Sequence, residues 1–312
     1  MPDANLKVEI KRFAEDNVLM VVDNKTDKTT PFNLNPEGSR VEVKKSGDVI
    51  YILEINKLYK TVMYKTIIEE KNRVIFVLLD GLNYKNSEYM GYMIALEREG
   101  KAKFLKVLSE MPSLSKPLYE TLLTGKKPIE HGVLNNGTPI MSKEKNIFSL
   151  CREAGLVTGV SGYYWLSELY NSIPFSKIKD TTTNDENKNI QHGRFYTLDH
   201  YPDEVVFIDG EYIREKYNPD FLMIHSMNID DAGHKFGSDS KEYRYSVRVA
   251  DNLLSTFVPK WIEEGYTIIV TSDHGMSVDG MHSGKDKLEA EVPLWVINDK
   301  KDLQLGEEIE QI

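Results

Sequence analysis

Four separated segments of the chain end in residues able to bind a metal or attack phosphorus: LLDG at 78–81, PSLSKP at 112–117, DDAGH at 230–234, and TSDHGM followed by MH within 271–282. They supply Asp80, Ser115, Asp230, His234, Asp273, His274 and His282. Those oxygen and imidazole donors suffice to hold two divalent cations beside one hydroxyl nucleophile. Such a combination points to phosphoryl transfer.

Each segment also has a simpler use. Asp80 follows the apolar run VIFVLL and precedes Gly81, so its carboxylate emerges where a strand leaves a sheet, but an Asp there can also cap the next turn. Ser115 opens a predicted helix with Pro117 in the tolerated first turn. A hydroxyl there faces helix N–H groups and the positive end of the dipole, while Ser113 or Ser115 can equally be a cap. Asp230 and His234 share a helical face at a spacing of four, and Asp231 and His234 do so at three, so spacing leaves the choice open. Adjacent Asp273 and His274 at the end of a β-branched strand have little structural reason to be there. His282 comes next in a glycine-containing loop that can return to the same edge. His192, His200 and His225 read as surface or core residues, and His131 as an organiser of its loop.

The elements that must position these residues are set by the apolar pattern. VIFVLLD at 74–80 is a continuous apolar run, the form of a strand buried on both faces of a parallel sheet, and DFLMIHS and YTIIVTSDHG repeat it. Between the last two, SKEYRYSVRVADNLLSTFVPKWIEEG has helical apolar spacing, with Pro259 as an expected break or kink. Strand, crossover helix, strand, with polar residues at the strand carboxyl ends, describes an open α/β sheet with its site along one edge. TTTNDENKNIQHG at 181–193 reads as a polar surface loop. Residues 1–70 differ: LKVEI, VLMVV, RVEVKK, VIYILEI and TVMYKTII are β-rich, are separated by turn-rich stretches such as DNKTDKTTPFNLNPEGS, and carry none of the candidate ligands. The expected organisation is a β-rich module at 1–70 and a catalytic domain at 71–312.

With 312 residues, 40% hydrophobic and 28% charged, the composition is that of an ordinary globular protein. A net charge of -10 argues against binding long nucleic acids, where affinity comes from Lys and Arg displacing counterions. A small phosphorylated substrate remains compatible if metals supply local positive charge. No apolar run reaches the ~18 to 20 residues of a membrane span. The first twenty residues contain no continuous apolar h-region, and one cysteine, Cys151, excludes an intramolecular disulfide, which together favour the cytoplasm. Oligomeric state is not legible.

Together the segments resemble the type I phosphodiesterase and nucleotide pyrophosphatase branch of the alkaline phosphatase superfamily, over roughly residues 72–298. The family pattern is a DG aspartate, a Thr or Ser before T-G-x-x-P-x-x-H-G, then D-x-x-G-H, S-D-H-G-M and a final His. Here it stands as Asp80-Gly81, Ser115, TGKKPIEHG, Asp230 to His234, SDHGM and His282. The resemblance implies an alkaline-phosphatase-like α/β fold, with a central, mostly parallel sheet flanked by helices. Its D-x-x-G-H spacing selects Asp230. It implies that Asp80, Ser115, Asp273 and His274 surround one metal and Asp230, His234 and His282 another, with zinc favoured and manganese tolerated. An asparagine binding a phosphoryl oxygen falls on Asn136, with Asn135 as the neighbouring alternative.

Chemically, the resemblance implies a phosphodiesterase-like hydrolase working through a phosphoryl-serine on Ser115. Phosphomonoesterase, phosphonate hydrolase and phosphomutase are alternatives on the same core, and a catalytically idle binding module is one of a different class. A sulfatase fits less well, since no Arg follows Ser115 in the S-x-P-x-R spacing. Nucleotide-cleaving members carry an aromatic residue directly after the nucleophile, where this chain has Lys116. That lysine can pair with a second anionic group of the substrate or lie in water. GYYWLSELY offers Tyr163, Tyr164 and Trp165 as a pocket wall or as ordinary core.

Overall fold

The computed structural model describes residues 73–297 in full and, outside them, the backbone of the strands named below. The chain divides into two compact units, Met1–Lys71 and Asn72–Ile312. In the first, β1 (Leu6–Phe13), β2 (Asp16–Asp23) and β3 (Lys28–Asn33) form one antiparallel sheet. A second antiparallel sheet comprises β4 (Arg40–Ser46), β5 (Val49–Ile55) and β6 (Lys60–Ile67). β3 falls inside a stretch that the sequence pattern marks as turn-rich. The side chains of this unit, and any role for it, lie outside the described residues.

The second unit contains β7 (Arg73–Leu79), β8 (Ala102–Leu108), β9 (Thr158–Tyr163), β10 (Thr182–Asn184), β11 (His192–Tyr196), β12 (Phe221–Ser226), β13 (Tyr266–Thr271), β14 (Glu291–Ile297) and β15 (Ile309–Glu310). They form one sheet in the order β10-β11-β9-β12-β7-β13-β14-β8-β15. From β11 to β13 neighbouring strands are parallel, while β10 pairs antiparallel with β11, and β14 with both β13 and β8. The helices are α1 (Gly91–Arg98), α2 (Ser115–Thr124), α3 (Pro128–His131), α4 (Ile147–Glu153), α5 (Trp165–Tyr170), α6 (Asp203–Tyr217), α7 (Asn228–Phe236), α8 (Lys241–Glu263) and α9 (Lys287–Ala290). This is the expected mostly parallel, helix-flanked architecture.

The central strand explains its own apolar run. Ile75, Val77 and Leu79 enter a core with Met93 of α1, Phe207 of α6, and Val247 and Trp261 of α8. Phe76 and Leu78 point the other way, into a core with Tyr119 and Leu123 of α2, Phe148 of α4 and Leu166 of α5. Strand alternation thus sends successive apolar residues to opposite faces, both covered, and each buried aliphatic side chain contributes about 1.5 to 3 kcal/mol.

Two expectations change. The 181–193 stretch is not a plain loop, because Thr182–Asn184 pairs antiparallel with His192–Tyr196 as a short hairpin at the sheet edge. Its polar residues tolerate an edge position that leaves one side of the strand in water. Nor does Pro259 break α8, which continues to Glu263. Its missing N–H forfeits one hydrogen bond near the helix end, while Val258 and Trp261 anchor that last turn in the core. No helix among the described residues is long and apolar enough to cross a membrane.

Candidate active site

β12, β7 and β13 are sheet neighbours ending at one edge, with Ser226 opposite Leu79 and Thr271 opposite Leu78. Asp80 therefore emerges from the middle, Asp230 and His234 on α7 from one side, and Asp273 and His274 from the other. The loops are tied together: Leu82 N–H donates to Ser272 Oγ (2.9 Å), the Tyr243 hydroxyl to Gly81 O (2.6 Å), and the Ser272 hydroxyl to His274 O (2.7 Å).

Gly81 is required between them. Its φ is +75°, and a Cβ would lie 2.8 Å from Asp230 Cα. Gly81→Ala should combine left-handed strain with a clash against backbone and cost about 2 to 4 kcal/mol. A urea unfolding midpoint equal to wild type would contradict this.

Ser115 is the first residue of α2, whose cap residue is Leu114 with no side-chain cap bond. Its hydroxyl does not cap; Oγ lies 3.0 Å from His274 Nε2. The Ser115 N–H has no acceptor within the helix by its position, so it and the dipole face whatever approaches Oγ. Ser113 serves the neighbouring loop. Its carbonyl accepts from His282 Nδ1 (2.8 Å), and its hydroxyl donates to Gly284 O (3.1 Å) and accepts from Ser283 N–H (3.0 Å). The His282 loop is thereby fastened to the entry of α2.

The imidazoles are held in the tautomer a metal requires. His234, His274 and His282 each direct Nδ1 at a backbone carbonyl, Gly280 O (2.9 Å), Gly275 O (2.9 Å) and Ser113 O (2.8 Å) respectively. A carbonyl only accepts, so Nδ1 carries a proton, and in the neutral ring Nε2 then offers a lone pair. His274 Nε2 is 3.5 Å from Asp80 Oδ1 and 3.3 Å from Asp273 Oδ2. His234 Nε2 is 3.4 Å from Asp230 Oδ2 and 3.1 Å from His282 Nε2. Lone pairs facing lone pairs and carboxylates repel unless a cation or a proton lies between them.

Asp80 Oδ1 and Asp230 Oδ1, both buried, have no hydrogen-bond partner among the described residues. Asp80, Asp273 and His274 bring ligand atoms within 4.8 Å of one another, as do Asp230, His274 and His282. The donor set therefore fits two divalent cations. Geometry puts His274 within reach of both groups, whereas the resemblance assigns it to one, and His234 joins the second group at its outer side. Asp80, Asp273 and His274 are fully buried, while the His234 side chain is 45% exposed.

The electrostatics agree with a cation site. Burial pushes Asp80 upward, but the His225 hydrogen bond, the neighbouring imidazoles and the Tyr119 hydroxyl outweigh it and bring the carboxyl down to about 2. Burial and then the Asp80 charge raise Asp230 and Asp273 well above the carboxylate range. Burial and then His274 lower His282 to about 4, and burial lowers His274, so both rings are neutral ligands at neutral pH. Without a cation the three carboxylates repel one another, and one alone ionises readily.

Of the remaining candidates, Asn136 Oδ1 accepts from Lys116 N–H (3.0 Å), placing it beside Ser115, while Asn135 Oδ1 is turned to its own loop, accepting from Gly137 and Thr138 N–H (3.0 and 2.9 Å). Asp231 pairs with Lys235 on the outer face of α7 (2.6 Å). Lys116 corrects both expectations for it. Its ammonium neither lies in water nor faces a substrate anion, but is buried against Glu168 Oε2 (2.9 Å) and Thr138 O (3.0 Å). Tyr163 is core, 6% exposed, with its hydroxyl donating to Asp199 (2.8 Å). Tyr164 and Trp165 are half-buried and pack on it, at ring distances of 4.7 and 4.9 Å.

Two residues that support the site escape sequence reading. His225 Nδ1 accepts from Tyr163 N–H (3.2 Å), so its Nε2–H donates to Asp80 Oδ2 (3.1 Å), and the Tyr119 hydroxyl donates to the same oxygen. Oδ2 is thereby occupied and Oδ1 left for a metal. Tyr119 stands where a sulfatase pattern requires arginine, and its helical spacing of four from Ser115 is the one available cue.

An alkaline-phosphatase-like sheet whose edge gathers a hydroxyl and a bimetal ligand set defines an enzyme class that acts on phosphoesters. Residues 74–289 match the type I phosphodiesterase / nucleotide pyrophosphatase family, and the chain belongs to it. It is 22% identical over 244 residues to GPI ethanolamine phosphate transferase 3 of Eremothecium gossypii, covering 72% of this chain and 23% of that protein. It is 24% identical over 228 residues to an uncharacterized pyrophosphatase/phosphodiesterase of Schizosaccharomyces pombe, covering 66% and 45%. The chain thus spans a quarter to a half of these relatives' length. Among solved structures, the C-terminal periplasmic domain of EptC from Escherichia coli shares the fold with a TM-score of 0.52 at 10% identity, covering 74% of each chain.

Proposed function

We propose that the protein is a bimetal-dependent phosphohydrolase acting through a phosphoryl-serine on Ser115, with phosphodiester-like substrates. The observation carrying this reading is Ser115 Oγ at a helix N-terminus, 3.0 Å from His274 in the middle of the ligand cluster. Asp80, Ser115, Asp273 and His274 would surround one cation and Asp230, His234 and His282 the other. When bound, the cations supply Lewis acidity and offset the charge gathering on phosphoryl oxygens. The Ser115 hydroxyl gives up its proton to solvent as Oγ bonds to phosphorus, the P–O bond to the leaving group breaks, and the departing ester oxygen takes up a proton from water. The α2 N-terminus and the Asn136 amide stabilise equatorial oxygens through N–H donors already in place. A water oxygen then bonds to phosphorus as the Oγ–P bond breaks, and a proton from that water restores the Ser115 hydroxyl.

A second reading is transfer to an alcohol in place of water. It is supported by the similarity to relatives named as ethanolamine phosphate transferases. Both readings share the first step and differ in the acceptor.

The deciding assay compares a nitrophenyl phosphate monoester with a nitrophenyl nucleoside phosphodiester, with zinc or manganese added, and with and without an alcohol acceptor. The expected result is metal-dependent release favouring the diester. Monoester preference would redirect the reading to a phosphatase or mutase. Acceptor-dependent release would make it a transferase. Turnover of neither ester would move it to a phosphonate substrate or an idle module.

A further inference from the structure

Lys116 ties together the start of α2, the loop bearing Asn136 and helix α5. Its main-chain N–H, the second of helix α2, donates to Asn136 Oδ1 (3.0 Å). Its ammonium donates to Thr138 O (3.0 Å), two residues farther along the same loop. The same ammonium is ion-paired with Glu168 Oε2 (2.9 Å) on α5, with the lysine and glutamate side chains 1% and 9% exposed. The loop bearing Asn136 is therefore gripped at two points by the residue directly after Ser115.

The chemistry of the grip fixes orientation as well as position. A main-chain N–H can only donate, so the Asn136 amide must turn its oxygen to Lys116, which commits the NH2 prong to face away from that bond as a donor. The loop itself is rich in small and polar residues, LNNGTP at 134–139, and Asn136 is only half-buried. The main-chain bond would survive replacement of the lysine side chain, so what that side chain adds is the hold on Thr138 O, two residues from the amide. A long side chain with a strongly hydrated ammonium is a costly choice for a buried tether, and burying it is sustained only because Glu168 neutralises it and Thr138 accepts from it.

We propose that Lys116 and Glu168 are positioning residues, a buried ion pair that locks the Asn136 amide in register with Ser115. The proposal rests on the phosphoryl-serine reading in one respect, that Asn136 acts on the transferred phosphoryl group. It also accounts for lysine at the position where the family resemblance expects an aromatic residue: here the side chain is turned inward and serves the loop.

The test uses the metal-loaded full chain with a nitrophenyl phosphoester. Lys116→Met should lower kcat by about 10- to 100-fold while changing KM by no more than about twofold, because a small misplacement of a transition-state donor is felt mainly in the chemical step. Asn136→Ala should lower kcat by about 100-fold, and adding Lys116→Met to it should produce no further loss. Multiplication of the two losses would overturn the proposal.

Because Lys116→Met leaves Glu168 buried without its partner, a second variant combines Lys116→Met with Glu168→Leu and so removes both charges. That pair should recover the melting temperature and keep the low kcat; recovery of kcat together with the melting temperature would reduce the ion pair to a stability role and end the proposal. Ser115→Ala in the same assay separates the two readings. Full activity in that variant sinks the nucleophile and leaves the coupling between Lys116 and Asn136 standing, whereas independent losses at those two positions sink the coupling and leave the nucleophile.

Discussion

Ser115→Ala is expected to lower kcat by about 10³-fold or more while leaving metal content at the wild-type level. The two parts of that expectation come from different observations. The loss arises because Oγ is the hydroxyl at the α2 N-terminus, 3.0 Å from His274 Nε2. Metal is retained because the carboxylates and imidazoles around it come from other strands and loops, and the Nδ1 bonds that fix the three rings use backbone carbonyls and not the serine hydroxyl. Elemental analysis alongside single-turnover kinetics checks both. Full activity would remove the nucleophile assignment, and loss of metal together with activity would make Ser115 chiefly a ligand.

Chelation should lower the melting temperature by roughly 10 to 20 °C, given about 2.7 kcal/mol per site at a hundredfold excess of ligand over Kd and about 2 to 4 °C per kcal/mol for a domain of this size. The gap should widen as pH rises. Asp230 and Asp273 titrate well above the ordinary value of 3.8 in the metal-free fold, so the stability they contribute is fully present below 3.8 and is lost as pH rises through their raised values. Bound cations would hold both ionised and cancel that loss. The histidines act in the opposite sense: with His282 near 4 against an ordinary 6.5, stability rises between those values. Above about 6.5 the His274 and His282 rings are neutral in folded and unfolded chains, so a change in the gap above that pH belongs to the carboxyls. Asp203, raised by burial to about 7, contributes the same slope with or without metal and drops out of the difference. A chelated protein as stable as the loaded one at pH 8 would contradict the bimetal reading.

How much of the site is legible in the sequence depends on how far a residue's partners lie along the chain. Asp80, Asp273 and His274 can be read because each ends an apolar run, and a run buried on both faces needs a parallel sheet whose carboxyl edge gathers the residues next in the chain. Asp230 is not separable from Asp231 by helical spacing alone; the resemblance chooses it, and the structure places Asp231 against Lys235 instead. Lys116 cannot be placed from sequence, because its burial depends on Glu168, 52 positions away, and nothing local distinguishes a lysine that will be neutralised from one left in water. His225 is hidden for a similar reason: inside FLMIHS it looks like one polar residue in a buried strand, and its meaning comes from Asp80, 145 positions earlier. The edge hairpin at 182–196 escapes notice because its residues are those of a loop, and only pairing with its neighbour makes them strands.

The uneven depth of the ligand cluster bears on how a metal pair would come and go. One group, Asp80, Asp273 and His274, is sealed from water, while the other opens at His234, whose ring is nearly half exposed. A cation held by Asp230, His234 and His282 would have a way to water past the His234 ring, whereas one held by Asp80, Asp273 and His274 would have none through its own ligands.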